Sequence, residues 1–157
     1  MPAPRIDTET PDDSALVDAL IARAFGPGRF AKSAERLREG RVRRLELCVV
    51  ARRGGAVVGC VRQWPIFVDD TSALLLGPIA VDIAHRSHGL GAALVRRACA
   101  VGEAAGYRHT VLVGDLEFFG PLGFSVAKVE LPGPVDPRRV LARSLDGGVL
   151  AGRAHSG

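Results

Sequence analysis

Two apolar rhythms alternate along this chain, one with a strand's period and one with a helix's, and their order predicts its elements. Arg5 to Glu9 alternates in polarity and predicts a first strand. Thr10-Pro11-Asp12-Asp13 then has the make-up of a helix start: Thr10 as N-cap, Pro11 at the first helical position, acids in the first turn. Leu16, Val17, Leu20, Ile21, Ala24 and Phe25 follow at helical spacing, until Gly26-Pro27-Gly28 stops the run. A second, shorter helix is expected over about residues 31 to 39. Leu45 to Ala51 and about Val57 to Val68 read as two strands of an antiparallel hairpin, turning at Arg53-Gly54-Gly55. Pro65 inside the second strand marks an edge or a bulge. Arg62, Gln63 and Trp64 beside it either line a cleft or form the strand's solvent face.

The middle of the chain changes rhythm twice. A strand is predicted over about 73 to 82, but its apolar run Leu74-Leu75-Leu76 is broken by Gly77-Pro78 before resuming as Ile79-Ala80-Val81. Proline lacks a backbone donor and glycine lacks a Cβ, so the pair predicts a bulge or splay. A helix follows from Gly89 to about Ala105, with Leu90, Leu94, Ala98, Val101 and Ala105 on one face and Gly106 at its end. His109 to Val113 reads as a further strand, residues 116 to 122 as a short helix, and about 138 to 145 as a last strand. The tail from Asp146, rich in glycine and small residues, is expected to be loosely held. This order implies one α/β (α+β) domain over 1–157: a mixed, mostly antiparallel sheet splayed at a bulge, with helices on both faces.

Between the broken strand and the helix lies Arg86-Ser87-His88-Gly89-Leu90-Gly91. A glycine-containing loop that opens a helix gathers free N–H groups and the positive end of the helix dipole, which suits a phosphate or pyrophosphate. A tight strand-to-helix turn is the plainer alternative. No Gly-Lys-Ser/Thr follows, so this is not a Walker loop. The third glycine and downstream acid of the dinucleotide fingerprint are also missing. The loop does fill Arg/Gln-x-x-Gly-x-Gly/Ala, with Arg86, Gly89 and Gly91. Downstream, Val111-Leu112-Val113-Gly114-Asp115 leads to Glu117-Phe118-Phe119-Gly120-Pro121-Leu122-Gly123-Phe124.

With these two motifs at this separation, the chain resembles the GNAT superfamily of acyl-CoA-dependent N-acetyltransferases, over about residues 4 to 145. The Gly-Asp pair followed by two aromatics is similar to a small bacterial branch of it. The resemblance implies acetyl-CoA as cofactor. Its pantetheine arm would pair with the backbone of Ile79, Ala80 and Val81 as an added strand, one N–H polarising the acetyl carbonyl. The loop and helix start, Arg86, Ser87, His88, Gly89, Leu90, Gly91 and Ala92, would hold the pyrophosphate, with glycine at 89 and 91 leaving room for its oxygens. Phe119 stands at the cofactor position where the family often has a tyrosine as general acid. Phenylalanine has no such proton, and a positioned acid contributes about 10²–10⁴-fold. A thiol of pKa about 8.5 leaves tolerably without help, so the change slows turnover more readily than it abolishes it. In such proteins the first helical region helps form the acceptor pocket, which makes Phe25, Arg29 and Phe30 candidates there; a core aromatic or a solvated arginine explains each as well. Glu46, Asp69, Asp70 and Glu117 are candidate bases by type alone, and the catalytic base is left unassigned.

Length and composition add limits. The chain has 157 residues, enough for one real core, and no apolar run approaches the about 20 residues of a membrane span. The N-terminus lacks the basic start and apolar core of a signal peptide. Cys48, Cys60 and Cys99 are too few and scattered for a disulfide framework or zinc site, so reduced thiols and a cytoplasmic setting are expected, with no metal. The net charge of +4 comes almost wholly from arginine. It suits an anionic cofactor as well as a nucleic acid, but no basic block with interleaved aromatics supports nucleic acid as partner. The expected partner is an amine acceptor, on a small molecule or a protein, and the oligomeric state is open, a homodimer included. An acyl-CoA-binding module with weak turnover, favoured by Phe119, is the main alternative.

Overall fold

Strand β1 (Arg5–Thr8) forms where the polarity alternates. The computed structural model describes residues 3–25, 44–86, 89–145 and 147–157, so the helix expected over 31–39, Arg29, Phe30, Ser87 and His88 lie outside the described residues, as does the side chain of Phe25. After β1, the Thr10 N–H and hydroxyl both donate to Asp13 Oδ2, at 2.8 and 2.9 Å. This pair folds Pro11–Asp13 into a 3-10 turn ahead of helix α1 (Ser14–Phe25). Val17, Leu20 and Ile21 are buried, whereas Leu16, expected on the same face, is exposed. Asp13 also takes the guanidinium of Arg52, which ties the helix start to strand β2 (Val49–Arg53). Burial pushes the Asp13 carboxyl up, but hydrogen bonds from Arg52 and Thr10 outweigh it and hold the group below its ordinary value.

β2 and β3 (Ala56–Val68) make the expected hairpin. Its first strand starts later than predicted, because Leu45–Leu47 coil into a 3-10 turn. Pro65 sits between Val61, the last β3 residue paired with β2, and Phe67, the first paired with β9 (Ala151–His155), so that flank is locally an edge. Arg62, Gln63 and Trp64 are all buried, which removes the solvent-face alternative. Arg62 is ion-paired to Glu9 at 3.1 Å and to Asp18 on α1 at 2.8 Å. Gln63 Nε2 donates to Leu47 O and, across the sheet, to Ala98 O, at 2.9 and 2.8 Å. Polar donors in the strand interior thus fasten both helices, each of them hydrogen-bonded as burial demands.

The remaining elements are β4 (Thr71–Val81), α2 (Leu90–Ala104), β5 (His109–Val113), α3 (Leu116–Phe119), β6 (Ser125–Val126), β7 (Lys128–Glu130) and β8 (Val140–Ser144). The strands lie in the order β1-β2-β3-β4-β5-β8-β6, with β9 pairing β3 and β7. Among the described residues only β4–β5 and β7–β9 are parallel, so the sheet is mixed and mostly antiparallel. α2 buries Leu90, Leu94, Val95, Ala98 and Cys99 against one face, over Val49, Ala51, Val61 and Leu76. α1 covers Val50, Val57, Cys60 and Ala80 on the other. Each fully buried leucine or valine contributes about 1.5–3 kcal/mol, so α2 is held by packing more than by propensity. Its stripe runs through Cys99 and Gly102 rather than Ala105, which is exposed.

Two expectations for the C-terminus are corrected. Residues 137–139 form a 3-10 turn, and the strand predicted from 138 starts at Val140. The tail is not loose: β9 is paired on two sides, and Leu150 and Ala154 are buried with Val68 and Val129. Small residues carry a weak apolar signal, so partners far away in sequence decide this strand.

Candidate active site

The register of β4 changes at the predicted break. Val61 pairs with Ile79 but Gln63 with Leu76, so β4 has one more residue than β3 across this interval. The extra length is a bulge at Gly77-Pro78, with Gly77 at φ 140 and the intervening peptide cis. The parallel pairing with β5 ends here: Leu74 pairs with Thr110 and Leu75 with Val111, and among the described residues β4 has no further partner on that side. On its other side it stays paired with β3 to Val81. The Asp82 N–H donates to Val58 O at 2.8 Å, which fixes the parity. Main-chain groups alternate sides along an antiparallel strand, so Ala80 faces β3 while Ile79 and Val81 face the gap left by β5. Arg86 Nε donates to the Val81 carbonyl from that side, at 3.0 Å. At the fork itself, the indole N–H of Trp64 donates to Gly77 O at 2.8 Å.

The chain then turns over a 3-10 segment, Ile83–His85, capped by Asp82 Oδ1, which accepts the Ala84 N–H at 3.2 Å. His85 is fixed from β2: the Arg53 guanidinium donates to its Nε2 at 2.9 Å. Gly89, at φ 73, is the N-cap of the 15-residue helix α2. Its carbonyl accepts from Ala93 N–H, and the first-turn N–H groups of Leu90, Gly91 and Ala92 have no intrahelical acceptor among the described residues. These donors and the open edge of β4 border one cleft of about 320 Å³, lined by Ala24, Ile79, Ala80, Val81, Arg86, Gly89, Gly91, Ala92 and Phe118.

Seven of the residues singled out from sequence therefore meet in one place. Leu90 lies beside them but turns its side chain into the core. Ala80 borders the cleft, but its N–H and C=O face β3 and its side chain packs with the α1 cluster, so by the strand's parity it offers no pairing groups on the open side. Phe119 does not line the cleft. Its ring is buried edge-on to Phe118 and Phe124, at centroid distances of 4.8 and 5.7 Å, and a Cβ on Gly114 would overlap it. Its neighbour Phe118, half exposed, takes the place at the cleft wall. One residue of helical rotation separates the two roles, which adjacent aromatics in a sequence do not resolve. Ala24 was missed for a plainer reason, being one apolar position in a helical stripe.

Arg86 is the one titratable side chain among the described residues that line the cleft. Glu46 is exposed beside Arg44, Asp69 bonds the Arg153 N–H at the far end of β4, and Asp70 and Glu117 are exposed elsewhere. Asp115 is the N-cap residue of α3, and the Tyr107 hydroxyl accepts from Arg44 at 3.2 Å. Cys60 lies across the ladder from Ala80, but burial pushes its thiol up to about 12, so it stays protonated. Among the described residues no group of His, Cys, Asp and Glu could hold a metal ion.

A bulged strand that parts from its parallel neighbour beside a helix N-terminus defines the class: this is an acyl-CoA N-acyltransferase fold. Comparison with known proteins agrees. The model of the Acetyltransferase (GNAT) family matches residues 14–124. Over 124 residues the chain is 33% identical to the uncharacterized N-acetyltransferase YhbS of Escherichia coli K12, covering 78% of this chain and 74% of that one. The crystal structure of Escherichia coli YhbS in complex with CoA superposes with a TM-score of 0.79 at 29% identity, over 98% of this chain and 89% of that one. A GNAT family acetyltransferase from Brucella melitensis in complex with acetyl-CoA has the same fold, with a TM-score of 0.76 at 24% identity, over 97% and 94% of the two chains. The chain belongs to the GNAT acetyltransferase family.

Proposed function

We propose that the protein is an acetyl-CoA-dependent N-acetyltransferase that moves an acetyl group directly to a primary amine of a small molecule or a protein. The observation that carries this is the open edge of β4, where the main-chain groups of Ile79 and Val81 face the cleft beside the first-turn N–H groups of α2. An extended amide-bearing arm fits that edge, and a pyrophosphate fits a helix N-terminus whose N-cap is a glycine at φ 73. Arg86, already at the mouth, adds positive charge. The CoA complexes of YhbS and of the Brucella melitensis protein support the same reading.

Acetyl-CoA supplies an activated thioester. Ile79 and Val81 would orient it, an N–H of this edge donating to the acyl oxygen as charge develops there. Phe118 would wall the cleft against water. With no carboxylate among the described lining residues, the acceptor amine would arrive unprotonated or lose its proton to water. That Arg86 is the one titratable side chain among the described lining residues, with no acid beside it, favours a second reading, an acyl-CoA-binding module with little turnover. Calorimetry with CoA, followed by thiol release from acetyl-CoA over a panel of amines, separates them. Binding with amine-dependent release is expected; binding without release from any amine would favour the module, and absence of binding would overturn both.

A further inference from the structure

We infer that Trp64 is a positioning residue that holds β4 in its forked course and so sets where Ile79 and Val81 present their main-chain groups; as to the ligand, this rests on the function proposed above. Trp64 stands at the branch point. Its backbone pairs with Leu75, the last β4 residue still paired with β5. Its side chain reaches diagonally past that rung and donates to the carbonyl of Gly77, the first residue of the bulge, at 2.8 Å. The ring itself is buried in the cluster of the paired half, with Ile66, Ala73, Leu75 and Val111. One end of the side chain is thus anchored where the two strands run together, and the other grips the strand where they part.

A buried indole N–H without an acceptor would be costly, so the bond biases the Gly77 carbonyl toward this orientation. From Gly77 the strand reaches Ile79 in two residues, a span of at most about 7 Å, so the setting of the Gly77 carbonyl lies within two residues of the groups that face the cleft. Arg62, opposite the bulge on β3, is committed to Glu9 and Asp18, and Gln63 to Leu47 and Ala98. Of the three buried polar side chains of this segment, Trp64 alone is bonded to β4 among the contacts described.

The test uses two variants of the full chain. Trp64→Phe removes the N–H and part of the ring; replacement by 3-benzothienylalanine keeps the bicyclic shape and removes only the donor. Calorimetry with CoA and amide hydrogen exchange of the ligand-free protein are read on each. Loss of one neutral hydrogen bond corresponds to a 2- to 10-fold effect. We expect exchange at Ala80 and Asp82 to quicken by about that factor and CoA affinity to fall similarly, with exchange at Val50 in β2 unchanged. Unchanged exchange at Ala80 and Asp82 in the benzothienyl variant would overturn the inference, whether or not Trp64→Phe folds. So would quickened exchange with unaltered CoA affinity. If the unmodified protein bound no CoA, the proposed function would fail, while the exchange arm would still decide the role of Trp64 in the fork. Trp64 is the only tryptophan of the chain, so its single indole N–H signal reports the bond directly.

Discussion

Gly89 and Gly91 look alike in sequence but answer to different constraints. Apart from its chain neighbours, no atom of the described residues lies within 4 Å of a Cβ placed on Gly89, so what calls for glycine there is φ at 73. Gly89→Ala is expected to cost about 1–2 kcal/mol of stability, read from denaturant unfolding. Gly91 has an ordinary helical φ, and a Cβ would rest 3.6 Å from Phe118 and 3.9 Å from Val81. A single methyl fits, but the branches of a valine would project into the cleft. Gly91→Val should therefore keep the melting point within a few degrees while weakening CoA about tenfold or more by calorimetry, a factor worth about 1.4 kcal/mol. Asp13 supplies a pH dependence. Its carboxyl is held below the ordinary value in the fold, so its contribution is complete above about pH 4 and is lost as pH falls through the lowered value. In Asp13→Asn the fall in unfolding free energy below about pH 4 should be shallower than in the parent.

Among the elements, α1 is docked by charge as well as by its apolar stripe. Glu9 is buried with a fully covered side chain, and its cation Arg62 is 6% exposed. Arg62→Met would leave that carboxylate uncompensated and should cost about 3–5 kcal/mol; adding Glu9→Gln should recover part of it, as chemical denaturation of both variants would reveal. How legible these elements are depends on how local their causes are. Thr10-Pro11-Asp12-Asp13, Gly77-Pro78 and the glycine before α2 announce themselves because their chemistry acts within a few residues. Arg62 does not, since nothing near it in sequence tells that Glu9 and Asp18 come to meet it. The choice of Phe118 over Phe119 for the cleft, and of Ile79 and Val81 over Ala80 for its open amides, likewise depends on rotation and register, which belong to the assembled sheet.

On the scale of the whole molecule, the C-terminal segment is a structural member. β9 pairs along the end of β3, buries Ala154 in the cluster of Trp64, Ile66 and Val68, and carries β7 on its outer edge. Removing residues 151–157 should cost about 2–4 kcal/mol, from exposed apolar surface and lost ladder bonds, and a thermal melt of the truncated chain would register it. The fold class and the position of the cleft were readable from two short motifs. The closing strand was not, because Ala151-Gly152-Arg153-Ala154-His155 has too little apolar surface to announce a strand without β3 and β7 beside it.

The fork has a mechanical consequence. The arms β1–β4 and β5–β8–β6 share two rungs of backbone pairing and are otherwise joined by side-chain packing, under α2 on one face and around Trp64 on the other. Anything that lay along Ile79 and Val81 while touching Phe118 would cross-brace the arms and stiffen the molecule well beyond its own footprint. Occupancy at one hundred times the dissociation constant would add about 2.7 kcal/mol to the folded state. The melting temperature of this protein should therefore climb with added CoA, so that a thermometer can stand in for a catalytic assay while the acceptor is being sought.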